Sequence, residues 1–297
     1  MVGKWVYTGI AMLAFAGNSI LCRWALADTA IDPASFTAIR LVSGALCLAG
    51  LVFIFNPKFI TNPDSAAVPY ESHPLKSSPR LHGSWLGALG LFTYAACFSF
   101  AYISLNAATG ALILFGSVQF TMITYSLVMG TRLNRWQGLG FVCAILGLGI
   151  LFLPSATTPD LLGGVLMMLA GVAWGGYSVL GKKAGDPTLV TTGNFIRSTA
   201  FALPLVLFSI PDLSFDADGV VLALLSGAIA SGMGYAIWYA VLPYHPTTTS
   251  ASIQLSVPVV TTVIGIIVLG EALSVTMVIA SCAILGGIYM VINGKRA

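Results

Sequence analysis

The chain has 297 residues, of which 57% are hydrophobic and 8% charged, against roughly 25% charged in ordinary soluble domains. That composition excludes a soluble globular protein, and a net charge of +3 gives no reason to expect a nucleic-acid partner.

Ten apolar stretches follow one another: Trp5–Ala25, Phe36–Phe55, Ser84–Ser104, Ala107–Met129, Trp136–Leu153, Leu161–Leu180, Thr191–Ile210, Val220–Val241, Thr247–Leu269 and Leu273–Ile292. A hydrocarbon layer of about 30 Å takes about 20 helical residues per crossing. Helices are the economical solution there, because lipid offers the backbone no hydrogen bonds. The expected fold is an all-α membrane protein of ten transmembrane helices. The first stretch outruns the apolar core of a signal peptide, about 7–15 residues, and reads as a membrane helix. Between the third and fourth stretches only Ser104, Leu105 and Asn106 intervene. The 32 glycines suit helices that approach closely in lipid.

Charge in the gaps sets an orientation. With the N-terminus inside, the inner loops carry Lys4, Lys58, Lys76, Arg80, Arg132, Arg135, Lys182, Lys183, Lys295 and Arg296. The outer loops carry Asp28, Asp32, Asp160, Asp212, Asp216, Asp218 and Glu271. The positive-inside rule then puts both termini in the cytoplasm, in an inner or plasma membrane. The Asn56–His82 loop, with Pro57, Pro63, Pro69, Pro74 and Pro79, reads as a flexible cytoplasmic linker.

The halves 1–155 and 156–297 resemble each other. Ala16–Ala25 reads AGNSILCRWA and Gly175–Ala184 reads GGYSVLGKKA; Ile39-Arg40 recurs as Ile196-Arg197; CAILG occurs at Cys143–Gly147 and at Cys282–Gly286. Five spans per half make the second copy enter from the opposite side, so the expected arrangement is two inverted five-helix repeats. Such repeats are characteristic of transporters that alternate access.

The stretch from Gly234 to Leu273, with its Gly-Tyr-aromatic opening, its Pro258-Val259-Val260 run and its Gly270-Glu271 pair, resembles the second EamA repeat of the drug/metabolite transporter superfamily. The resemblance extends over essentially the whole chain. The first half departs from the pattern: Val118-Gln119 stands where a proline is usual, and Gly130-Thr131 where Gly-Glu is usual. Membership implies export of amino acids or other metabolites.

Polar groups inside a bundle are costly and so tend to be functional. Arg40 and Arg197 could each hold a carboxylate or phosphate through two hydrogen bonds; the competing reading is that each snorkels to its interface or pairs with a helix C-terminus, and Arg23 is expected to snorkel. Asn18, Gln119, Asn194 and Gln254 could bind substrate or join helices. Pro258 frees the carbonyl of Gln254, which favours a cavity-lining role there. Tyr94, Trp174, Tyr177, Tyr235, Trp238 and Tyr239 could line a pocket, whereas Trp5, Trp85 and Trp136 read as interface anchors. Glu271 suits the start of the helix that follows it. Cys22, Cys47, Cys97, Cys143 and Cys282 read as small buried hydrophobes, and neither metal nor cofactor is expected.

No acid falls deep in any span, and His73, His82 and His245 lie in loops. A cation pump and an intramembrane hydrolase are therefore disfavoured. The expected protein is a secondary transporter, not an enzyme. Its partners are the lipid bilayer and a small carboxylate-bearing substrate, most plausibly an exported amino acid; a monomer suffices. The alternatives are efflux of neutral drug-like compounds and, less well supported, a channel.

Overall fold

The computed structural model describes residues 2–55, 82–130, 132–151, 160–181, 186–241, 244 and 253–294. The linker as far as Leu81, the loop basic residues Lys58, Lys76, Arg80, Lys182, Lys183, Lys295 and Arg296, and His73 and His245 lie outside the described residues.

Ten helices account for most of what is described: α1 Val2–Asp28, α2 Pro33–Phe55, α3 Trp85–Ala101, α4 Ala107–Val128, α5 Arg135–Leu151, α6 Leu161–Gly181, α7 Pro187–Phe208, α8 (217–241), α9 Ser256–Leu269 and α10 Val275–Asn293. Helix α8 is continuous in three pieces, Ala217–Leu224, a π-helical Leu225–Met233 and Gly234–Val241. Six of the ten (α1, α2, α4, α6, α8 and α10) are long and apolar enough to cross a membrane, and α3, α5 and α9 are apolar but shorter. Helix α7 has the length, with Thr191, Thr192, Asn194, Arg197 and Ser198 along it. Among the described residues there is no strand.

The boundaries follow from capping. A helix start leaves amide donors that need oxygens. Ser84 caps α3 by accepting from Gly87, Asp186 caps α7 with Pro187 in the first turn, Asp216 caps α8 and Ser274 caps α10. Asp32 accepts from Ala34 and Ser35 at 2.9 Å each at the start of α2, and Asp160 from Gly163 at 2.7 Å at the start of α6. Helix α9 ends at Gly270, whose φ of 64° is the left-handed cap that glycine adopts without strain. The narrow gap between the third and fourth stretches is a real break: α3 stops at Ala101 and α4 starts at Ala107. The expected start of the ninth span at Thr247 lies outside the described residues; residues 253–254 are helical, Leu255 turns, and Pro258 falls in the first turn of α9, where its missing donor costs little.

The outer surfaces are apolar. Leu46, Val128, Phe208, Ile267 and Val275 are each more than two-thirds exposed, and with the neighbouring Leu, Ile and Val they make broad apolar faces of the kind that suits lipid. Trp5, Trp85 and Trp136 are exposed at the starts of α1, α3 and α5.

Packing is regular under a shift of five helices. Helix α3 packs on α6 as α1 packs on α8, α4 on α6 as α9 on α1, and α2 on α8 as α7 on α3; α2 meets α7, α4 meets α9 and α5 meets α10. The two CAILG segments sit in the α5–α10 contact. Cys143 Sγ lies 3.6 Å from the Ala283 carbonyl, and a Cβ on Gly147 would strike Ala283 and Ile284. Gln137 Nε2 donates to the Val291 carbonyl at 3.0 Å across the same seam.

The odd-numbered helices begin at the end of the bundle that carries the termini. At the opposite end, four polar ties cross between residues 1–155 and 156–297. Asp32 and Ser214 exchange backbone and carboxylate hydrogen bonds at 2.8 and 3.1 Å. Ser104 Oγ donates to Asp160 at 3.2 Å. Glu271 accepts from Ala107 N at 2.7 Å and faces Arg23 Nε at 3.8 Å.

Candidate functional site

Among the described residues, a polar and aromatic cluster fills the interior between α1, α2, α3, α6 and α8. Arg40 lies two turns into α2, 2% exposed. Its Nη2 donates to the Tyr94 hydroxyl at 3.1 Å and its Nε to Ser231 Oγ at 3.3 Å. Its guanidinium carbon stands 5.1 Å from the Tyr94 ring centre and 4.9 Å from that of Phe98, within cation–π range. Its third nitrogen, Nη1, is buried without a partner. Leaving a buried charged donor unmet is costly, so this atom marks a place where a ligand oxygen would be welcome.

Asn18 of α1 completes the polar core. Its Nδ2 donates to the Tyr94 hydroxyl at 3.2 Å, and its Oδ1 accepts from Ser226 Oγ at 2.7 Å. Both serines, Ser226 and Ser231, come from the π-helical segment of α8. Such segments open a helix's own ladder and recur at functional sites. Small residues allow this one to come close: a Cβ on Gly227 would collide with Ser43 Oγ and the Arg40 carbonyl.

Rings wall the cluster. Trp174 of α6 stacks on Tyr177 at 5.4 Å and on Tyr235 at 5.0 Å, and meets Tyr94 at 5.0 Å. Phe195 and Phe15 pack against Tyr235 from α7 and α1. Trp238 is buried beside Phe15. Tyr177 accepts from Asn194 Nδ2 at 3.4 Å and donates to Thr191 at 3.4 Å, which attaches Asn194 to the edge of the ring wall. Asn194 Oδ1 accepts from Ser84 N at 2.8 Å, so this amide also joins α7 to the start of α3.

The structure thus brings together Asn18, Arg40, Tyr94, Trp174, Tyr177 and Tyr235, with Trp238 and Asn194 at the margin. It does not bring Arg197 there. That side chain donates from Nη1 to the carbonyls of His82 at 2.6 Å and Gly193 at 3.1 Å, holding the chain that leads into α3. Gln119 is buried in α4 with Nε2 unpartnered, and Gln254 is half-buried ahead of α9; neither is bonded to the cluster. The side chain of Tyr239 lies outside the description. Arg23 is partly exposed near the end of α1, and its Nη1 donates to the carbonyls of Tyr102 and Ile103 at 2.9 and 3.0 Å, closing the end of α3. Glu271 does not cap the helix that follows it; Ser274 does that, and the Glu271 carboxylate caps α4 instead.

Phe98, Ser226 and Ser231 belong to the cluster and are not singled out by the sequence. The signal was present in the run Ser226-Gly227-Ala228-Ile229-Ala230-Ser231-Gly232, small residues that let two helices touch. A cavity of about 1010 Å³ opens at the termini end between α1, α2, α7 and α8, lined by Lys4, Tyr7, Leu51, Asp186, Met233 and Ala236 among others. Met233 at its wall is two residues from Ser231, which holds Arg40. Among the described residues no group of side chains could hold a metal ion.

A bundle of apolar helices around a polar core defines a polytopic membrane protein. Comparison places it further: the chain belongs to the EamA-like transporter family, whose pattern it matches twice, over residues 5–153 and 161–293. It is 48% identical to an uncharacterized protein of Pseudomonas aeruginosa over 96% of this chain and 93% of that one. It is 26% identical to a probable amino-acid metabolite efflux pump of Salmonella typhimurium, over 73% and 79% of the two chains. It is 30% identical to the threonine/homoserine exporter RhtA of the same species over 48% and 50%. A solved crystal structure at 16% identity shares the fold, with a TM-score of 0.64 over 100% of this chain and 99% of that one.

Proposed function

We propose that this membrane transporter exports a small carboxylate-bearing metabolite of the amino-acid kind by alternating access, and that the Arg40 cluster is its binding site. The observation that carries the reading is the buried Arg40 Nη1, a charged donor without a partner, set among Tyr94, Trp174, Tyr177 and Tyr235. A carboxylate would accept from the guanidinium, and the rings would take an apolar or aromatic side group. The amino-acid metabolite efflux pump and the threonine/homoserine exporter among its relatives support the same class of cargo.

Residues 1–155 and 156–297 act as inverted repeats in this proposal. The regular packing under a five-helix shift, the CAILG contact and the twofold family match support it. Both termini lie in the cytoplasm of a cell with the protein in its inner or plasma membrane, by the distribution of basic residues. The cavity at the termini end is then the cytoplasmic approach, and the four polar ties at the other end close the outer side.

Uptake of labelled amino acids and of other small carboxylates into proteoliposomes tests the reading. Saturable flux that Arg40→Gln abolishes, at unchanged protein level, is the expected result. Flux that survives Arg40→Gln but falls with Trp174→Ala would replace it with efflux of neutral compounds, for which the ring wall suffices. Unsaturable ion conductance would replace it with a channel.

A further inference from the structure

The charges around Arg40 narrow the cargo further, an inference that rests on the Arg40 cluster being the binding site. Every group that touches this guanidinium is neutral: the Tyr94 hydroxyl and ring, the Phe98 ring and Ser231 Oγ. Among the described residues the carboxylates sit at helix ends. Asp32, Asp160, Asp186, Asp216 and Glu271 are already engaged there as caps. The site therefore carries one uncompensated positive charge. A monoanion brings it to neutrality.

A zwitterion would not. Its ammonium stands two bonds from the carboxyl carbon, hence within a few ångströms of the guanidinium, and would restore the net charge that the carboxylate cancelled. A buried ammonium asks for anionic or carbonyl acceptors. Three polar oxygens at hand already accept hydrogen bonds. Asn18 Oδ1 accepts from Ser226, the Tyr94 hydroxyl accepts from both Asn18 and Arg40, and Asn194 Oδ1 accepts from Ser84 N. The ring faces nearest Arg40 are those of Tyr94 and Phe98, and the guanidinium occupies them. Trp174 is engaged with Tyr177, Tyr235 and Tyr94.

We propose that the preferred cargo is a monocarboxylate with an apolar or aromatic body and no free ammonium group: an N-acylated or deaminated derivative of an amino acid rather than the amino acid itself. The derivative keeps the carboxylate for Arg40 and the side group for the ring wall, and leaves out the second charge.

The test uses the purified full-length chain, reconstituted in nanodiscs, with calorimetric titration of four probes. N-acetyl-L-phenylalanine and 3-phenylpropionate carry the acid alone, L-phenylalanine carries both charges, and L-phenylalanine amide carries the cation alone. The two acids should bind at least about tenfold more tightly than L-phenylalanine, the modest end of what one uncompensated buried charge costs, and the amide should not bind. Arg40→Gln should remove acid binding while the protein remains folded by its melting profile. L-Phenylalanine binding as tightly as its N-acetyl derivative would overturn the cargo assignment and leave the Arg40 site standing. Acids that bind wild type and Arg40→Gln alike, or no binding of any acid to wild type, would overturn both.

Discussion

The Glu271 carboxylate accepts the Ala107 amide at 2.7 Å across 164 residues of sequence, so the Gly-Glu pair that follows α9 serves the start of α4. Gly270 turns the chain with φ at 64° and Glu271 then reaches sideways to the exposed amides of a helix from the other half. Ala108 N also approaches it, at 3.4 Å, and Arg23 balances its charge at 3.8 Å. The first half keeps the turn, with Gly130 at φ 88°, but has Thr131 in place of the acid.

Glu271→Ala should therefore destabilise the protein, by about 1 kcal/mol as for other lost caps. Glu271→Gln should cost less, since an amide oxygen still accepts while the favourable charge at the helix start is lost. Thermal unfolding of the two variants in one detergent gives the order, and equal loss from both would show that charge rather than capping is what matters.

Arg40→Lys separates charge from shape. A lysine ammonium keeps the positive charge but cannot span Tyr94, Ser231 and a ligand in one plane as the guanidinium does. Transport efficiency should fall by about tenfold or more, the equivalent of roughly 1.4 kcal/mol in transition-state terms, while the protein level stays unchanged. Full activity in Arg40→Lys would mean that a point charge suffices.

Glycines differ in what they do. Gly227→Ala drives a methyl into Ser43 and the Arg40 carbonyl, where α8 meets α2, and should cost about 1–3 kcal/mol as overpacking does. Gly9→Ala, where a Cβ meets nothing within 4 Å, should be neutral or stabilise by about 0.5–1 kcal/mol through helix propensity. Melting temperatures of the pair check both signs at once.

Much of the architecture was legible in the sequence because the membrane reduces it to a one-dimensional pattern: apolar stretches of fixed length separated by charge. Repeated strings such as CAILG marked the internal repeat, and in the structure they meet at the seam between α5 and α10. The residues of the buried cluster were half legible. Asn18, Arg40, Tyr94, Trp174, Tyr177 and Tyr235 stand out because polar and ring side chains are scarce inside such helices. Arg197 has the same residue type and the matching repeat position as Arg40, yet it binds the His82 and Gly193 carbonyls, because what a side chain meets depends on the neighbouring helix, which spacing does not encode. Glu271 misled for the same reason: its place next to α10 in sequence hid its contact with α4 in space. Ser226 and Ser231 entered the site through a π-helical stretch, a local register change that periodicity does not reveal.

The polar ties opposite the termini give the proposed outer-closed state a mechanical test. Ser104 and Asp160 lie on different halves and are 3.2 Å apart at Oγ and Oδ2. If the outer side must open for release, joining these positions should stop transport. A cysteine pair at Ser104 and Asp160, in a background where Cys22, Cys47, Cys97, Cys143 and Cys282 are replaced, can be bridged with a short thiol-reactive linker. Flux into proteoliposomes should fall to background on bridging and return when a cleavable linker is cut. Each single-cysteine protein treated alike should keep its flux, which separates locking from mere modification. Persistent transport by the bridged protein would show that the two halves need not part at this end.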